Sequence, residues 1–196
     1  MKPLAILLLL LMPLRATLAT DTLAEIGARL VKTELTAGRF RQEKNIKVLK
    51  KPLISTGTFI YHRSRGVIWQ TLTPVPSMLL VNRTRLLAAQ GEQILPPAFG
   101  RVFTAMFGGD LQSMQEGFEL AGTNGKTAWR LQLKPKDPLL RKIIFEMQLA
   151  GDKELRQIDI KEANGNSTRI TFDPIAHPES LTSTQEADFE RLSSAP

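Results

Sequence analysis

The chain contains no cysteine, so it has no disulfide, thiol nucleophile or thiolate metal site, and its fold must rest on its apolar core. The same absence removes a lipobox, because a lipid-anchored exported protein needs a cysteine at its mature terminus. Histidine is nearly as scarce. His62 and His177 are the only two, and neither stands in a metal-ligand spacing such as H-E-x-x-H. No G-x-S-x-G elbow occurs. The carboxylates Glu146, Asp159 and Asp173 fall on the polar faces of predicted strands, where solvation is the default role. Catalytic residues, a metal and a cofactor are all expected to be none, and the chain reads as a non-enzyme. Beyond the amino terminus, no apolar run approaches the roughly 20 residues of a membrane-spanning helix.

That amino terminus is informative. Lys2 supplies a charge, Leu4 to Leu14 is almost continuously apolar, and Thr17-Leu18-Ala19 ends in a small residue. This is the layout of a secretory signal peptide cleaved after Ala19. The expected mature protein is one domain, residues 20–196, exported to the periplasm. Losing Lys2 and Arg15 lowers the formal net charge from +7 to +5. In an exported protein a basic balance points away from nucleic acid, towards an anionic membrane surface or an acidic partner. Lys44, Lys47, Lys50 and Lys51 concentrate that charge. They read either as a solvated edge that discourages aggregation or as such a docking site.

Asp21 is placed to cap a helix running to about Glu34, with Leu23, Ile26, Leu30 and Val31 on one face. Strands are predicted at 39–47, 56–61, 66–72, 78–81 and 86–89. Met78 to Val81 is apolar on both faces and should be covered on both. Further on, Trp129, Leu131 and Leu133 alternate with polar residues, as do Ile143, Phe145, Met147 and Leu149, then Ile158 and Ile160, then Ile170 and Phe172. Period two with one polar face marks antiparallel strands covered on one side. Asn124-Gly125 reads as a hairpin turn with positive φ, and Asn164-Gly165 as a second turn. Alternation then places Phe59, Trp69, Leu80, Trp129, Phe145 and Met147 on one concave apolar surface.

Between the halves, Phe99, Val102, Phe103, Met106 and Phe107 form a single helical stripe. Pro96-Pro97 opens it and Gly108-Gly109 closes it. Alone, the stripe reads first as ordinary core, and a lid over a ligand cavity would look identical in sequence. A short helix at 110–115 and a final one at 184–192 complete the order of helix, strands, helices, strands. The fold class is α+β, a curved antiparallel sheet with helices across its concave side.

Residues 35–80 resemble the outer-membrane lipoprotein carrier family (LolA). Phe40-Arg41-Gln42-Glu43 is similar to its first-strand pattern, and Leu53, Ser55 and Gly57-Thr58-Phe59 to its second. Arg63, Gly66, Trp69 and Pro74 match the third. The family usually has proline after that arginine, where this chain has Ser64. Beyond Leu80 the match is one of element order, as in a divergent branch. The resemblance implies an incomplete, eleven-stranded β-barrel with helices as a lid. It also implies acylated lipoprotein or other lipid cargo, an inner-membrane donor complex, an outer-membrane acceptor and a monomeric carrier. Arg63 becomes a lid latch, donating hydrogen bonds to lid carbonyls. A lipid-sensing regulatory module on the same fold and a periplasmic hydrolase are the rival readings.

Overall fold

The structure, a computed structural model, describes residues 16–88, 91–93 and 97–194. Most of the expected signal segment, residues 1–15, lies outside the described residues. In chain order the elements are α1 (Ala16–Arg29), β1 (Leu35–Asn45), β2 (Leu53–His62), β3 (Gly66–Thr73), β4 (Ser77–Val81), β5 (Leu86–Ala88) and β6 (Gly91–Gln93). There follow α2 (Pro97–Gly108), α3 (Leu111–Gly117), β7 (Phe118–Asn124), β8 (Trp129–Pro135) and α4 (Pro138–Arg141). The chain ends with β9 (Ile144–Gly151), β10 (Leu155–Glu162), β11 (Ser167–Phe172) and α5 (Ser183–Ser194).

All eleven strands form one antiparallel sheet, ordered β6-β5-β4-β3-β2-β1-β11-β10-β9-β8-β7. β6 and β7 remain at its two edges, so the barrel is incomplete. Joining β1 to β11 lets two meanders share one core, and the α2–α3 segment crosses from one edge to the other.

The first two strands show why this sequence folds so. Gly38 of β1 pairs with Phe59 of β2, and Phe40 pairs with Gly57. Each glycine leaves room for the ring opposite. A Cβ on Gly38 would lie 2.7 Å from the Phe59 ring, and one on Gly57 equally close to Phe40. The Phe40 ring therefore passes over Gly57 and stacks on Trp69 of β3, with centroids 3.8 Å apart. The repeated Gly-x-Phe pattern is thus a cross-strand packing device, with each aromatic covering the partner's glycine.

α1 starts at Ala16 and ends at Arg29, five residues short of the expected Glu34. Val31 consequently leaves the apolar face and is exposed, whereas Leu23 and Ile26 enter the core. Arg29 supplies the reason for the early stop. Its guanidinium donates to Asn124 Oδ1 and to the carbonyls of Gly125 and Lys126, at 2.9, 2.7 and 3.0 Å, tying the helix end to the β7–β8 turn. That turn is longer than a two-residue Asn-Gly hairpin. Gly125 donates to the Ala128 carbonyl, and positive φ occurs at Gly66, Gly109 and Gly165 but not at Asn124 or Gly125.

α5 packs on the outer face, opposite α1 and α2. Phe189 and Leu192 form a separate buried cluster there with Ile68 and Leu80. β4 is therefore covered on both sides, as its doubly apolar sequence requires.

Candidate functional site

The inner face of the sheet carries one continuous apolar cluster that includes Phe40, Phe59, Trp69, Trp129, Met147 and Phe172. Its centre is aromatic. Phe59 lies edge-on to Phe172, with centroids 5.3 Å apart, and Trp69 is likewise edge-on to Phe172 at 6.2 Å.

α2 roofs this floor. Phe107 approaches Phe59 to 4.7 Å between centroids, and Phe103 approaches Trp69 to 5.8 Å. Both phenylalanines are only half buried, whereas Ala105 and Met106 are buried. Glycines at both ends seat the helix closely. A Cβ on Gly100 would lie 2.5 Å from the Asn82 carbonyl oxygen, and one on Gly108 would lie 2.3 Å from the Tyr61 hydroxyl. Gly109, at φ +64°, ends the helix in a left-handed conformation that glycine adopts without strain. Asp110 then caps α3 by accepting from the Ser113 backbone N–H at 3.0 Å. Burial opposes ionisation of Asp110, but the hydrogen bonds of Ser113, the Arg83 charge and the Gln112 backbone together hold the carboxyl below its ordinary range.

A pocket of about 530 Å³ borders α2 among Tyr61, Arg83, Thr104 and Asp110, whereas the space beside Met106 and Phe107 is small. A cavity of about 20 Å³ lies among Leu30, Met106, Phe107, Leu155 and Ile175, room for a single water at most. Phe103 and Phe107 thus lie directly on the Phe59–Trp69 part of the floor. At the β7 edge of the same face α1 packs on the sheet, where the Gly122 backbone sits against Ile26, Leu131 and Leu23. Trp129 is buried in this half, and its indole N–H has no acceptor among the described residues.

The structure thus gathers Phe59, Trp69, Trp129, Met147, Phe103, Met106 and Phe107 into one cluster. Phe99 and Val102 fall on α2, but their side chains lie outside the described residues. Three expectations need correction. Leu80 lies on the outer face under α5, because Trp69 pairs with Leu79 and Ile68 with Leu80. Leu79 is the inner-face residue, and a strand apolar at successive positions carries no sign of which set faces in. Phe145 is 64% exposed. A β-bulge causes this: Lys161 pairs with Glu146 and Glu162 with Ile144, leaving Phe145 as the extra residue and turning Ile144 inward.

Arg63 is the third. It donates to the Thr33 carbonyl at 3.0 Å and lies 3.6 Å from the Glu34 carboxylate. Both partners belong to the α1–β1 connection. The register dictates this, since Leu35 pairs with His62 and the next residue along faces 33–34. No carbonyl of α2 or α3 receives Arg63 among the described residues. Phe40 and Phe172 were not expected in the site. The Gly-x-Phe repeat carried the signal for Phe40, and Phe172 alternates with Ile170 on a face already read as apolar.

The outer face carries a polar network in place of freely solvated carboxylates. Glu146 is buried and accepts from Lys161 at 2.9 Å, from Gln148 at 3.1 Å and from Gln132. These hydrogen bonds, Lys161 foremost, hold its carboxyl below the ordinary range against the opposing effect of burial. Among the described residues no helix is long and apolar enough to cross a membrane.

Comparison with known proteins agrees with this geometry. The family model for the outer membrane lipoprotein carrier protein LolA matches residues 31–185. Among solved structures, a LolA superfamily protein from Nitrosomonas europaea is similar at 9% identity and a TM-score of 0.50, over 85% of this chain and 96% of that one. A domain named for outer membrane lipoprotein sorting, from Vibrio parahaemolyticus, is 11% identical with a TM-score of 0.50, over 91% and 99% of the two chains. A DUF1329 family protein from Desulfovibrio piger is 9% identical with a TM-score of 0.51, over 91% and 98%. At these identities the likeness is one of fold. No curated protein matches the chain.

Proposed function

Because the chain belongs to the outer membrane lipoprotein carrier protein LolA family, we propose that it is a periplasmic carrier that shields the acyl chains of lipoproteins or related lipids between membranes. The observation that carries this reading is the aromatic inner face under α2, a helix seated through glycines with Phe103 and Phe107 half buried. A lipid cannot cross water unaided. Exposure costs about 0.8 kcal/mol per methylene, so a chain of roughly 16 carbons needs about 12 kcal/mol of shielding. A floor of Phe40, Phe59, Trp69 and Phe172 supplies that environment once α2 lifts. No bond is made or broken in such a task, and no catalytic group is needed. An inner-membrane donor complex, an outer-membrane acceptor and a monomeric carrier belong to the same reading, as does export directed by residues 1–19.

Native mass spectrometry of protein purified from the periplasm tests it, together with displacement of a naphthalene dye by acyl ligands. The expected result is a lipid adduct and competition for the dye. A protein that carries no lipid and binds no dye has a plain core, and the carrier reading fails.

A further inference from the structure

The exposed large apolar side chains are unevenly distributed. In an up-and-down sheet, alternate connections leave at the same end, so the β1–β2, β3–β4 and β8–β9 connections emerge together. The β1–β2 connection holds the exposed Val48 and Leu49, and Leu53 and Ile54 follow at the start of β2. Leu72 and Val75 stand at β3–β4, and Leu139, Ile143 and Phe145 at β8–β9. Among the described residues, Val31 alone of the exposed large hydrophobics lies elsewhere. Val48 is 87% and Val75 71% exposed, so neither adds to the stability of the protein alone.

Two β-bulges sharpen the pattern. One skips Leu72 between the Thr56–Thr73 and Gly57–Thr71 pairs, and the other skips Phe145. In both the extra residue is large, apolar and turned outward, at the same end of the sheet. Bulges re-aim side chains, and these two re-aim apolar ones into solvent. The charge at this end is basic. Lys44 is engaged with Glu162 at 2.9 Å. Lys47, Lys50, Lys51 and Lys142 make no ion pair among the described residues.

We propose that this end of the half-barrel docks on an anionic lipid bilayer, with Val48, Leu49, Val75 and Phe145 entering the headgroup layer and the unpaired lysines at phosphate level. Apolar points ringed by lysine are what such a surface takes up. They stand on three separate connections and form no groove, which suits a fluid interface better than the fixed shape of an acidic protein. The proposal is independent of the carrier reading, because it concerns the rim and not the inner face.

Co-sedimentation of the exported form with vesicles tests it, using phosphatidylglycerol with phosphatidylethanolamine against phosphatidylcholine alone. All variants share one amino terminus, so only differences between them count. Each lysine near an anionic surface is worth about a fivefold change in partitioning. Lys50→Glu with Lys51→Glu should weaken binding to anionic vesicles at least tenfold, and high salt should do likewise. Val48→Ser with Phe145→Ser should weaken it too, while Val31→Ser at the opposite end should change nothing. Melting temperature and dye binding without vesicles should stay at wild-type values throughout, which separates this test from that of the inner face. Wild-type protein that binds anionic vesicles no better than the variants, or no better than neutral vesicles, overturns the proposal. So does protein that binds only an acidic protein partner.

Discussion

Gly57→Ala puts the central packing device to a quantitative test. In most strands this substitution is neutral or helpful, because alanine lowers the entropy of the unfolded chain by about 0.4–1 kcal/mol. Here the new Cβ would lie 2.0 Å from the Gln70 carbonyl oxygen and 2.7 Å from the Phe40 ring. The carbonyl belongs to the neighbouring strand and cannot swing aside. The ring is held at 3.8 Å against Trp69 and would lose that stack, worth about 0.5–1.5 kcal/mol. Overpacking adds about 1–3 kcal/mol. After the entropy gain, the net destabilisation should be about 2–3 kcal/mol, a fall of roughly 5–10 °C in melting temperature for a chain of this size. Urea unfolding gives the free energy directly. Trp69 and Trp129 are the only tryptophans, so emission in a Trp129→Phe background reports the stack alone and should change. Phe40→Leu combined with Gly57→Ala should recover part of the loss, since the ring clash goes while the carbonyl clash stays. A Gly57→Ala protein as stable as wild type, with unaltered Trp69 emission, would refute the seating of aromatics over glycines.

The other expectations are simpler to check. Intact mass of the exported protein should show a mature terminus at Thr20, and a full-length species in the membrane fraction would rule out cleavage there. Phe103→Ala should cost less than the roughly 3–5 kcal/mol of a fully buried phenylalanine and weaken acyl-ligand competition for the dye; full core cost with unchanged competition would make the stripe plain core. Glu146→Gln should lower stability at neutral pH by about 1–3 kcal/mol. Its folded-state carboxyl titrates below the unfolded value, so its contribution is present above the unfolded pKa and lost as pH falls through the folded one. The variant should therefore lose less stability than wild type on acidification, and parallel acid limbs would count against the network. Arg63→Leu should cost about 1 kcal/mol or less, as for an exposed pair, and leave cargo release unchanged; a protein trapped in the loaded state would restore the latch.

What was legible in the sequence followed from local physics. Alternation in the carboxy-terminal strands, the stripe at 99–107 and its glycine exit all report local geometry, and the sheet and α2 formed as those patterns require. Phe145 and Leu80 were misplaced for non-local reasons. Two residues of β9 oppose one peptide of β10, and that bulge is decided by pairing with a strand more than ten residues away. Leu80 sits in an apolar run with no polar partner to betray its face, and only a helix more than 100 residues later covers it. Arg63 failed differently. Its motif position matched, but a motif says which residue is present and not which carbonyl lies opposite. Here the start of β1 brings Thr33 and Glu34 to it.

The carrier role proposed above requires that α2 rest on the inner face until an acyl chain lifts it. Withdrawing Phe103 and Phe107 from the floor forfeits at most about 1.5–3 kcal/mol each, and less because both are half buried. Lifting α2 also uncovers the buried Met106 at a similar cost, so opening costs several kcal/mol, enough to keep the helix down in all but a small fraction of molecules. A 16-carbon chain brings about 12 kcal/mol of avoided hydration, which exceeds that cost. The remainder, set against the entropy of fixing the chain, still favours binding. Release then requires a site that offers the acyl chain a better environment than the floor of Phe40, Phe59, Trp69 and Phe172. A bilayer does so, and α2 falls back as the chain departs. On the carrier reading, the same aromatic floor would then favour unloading into a bilayer, because each ring uncovered by the cargo regains Phe103 or Phe107.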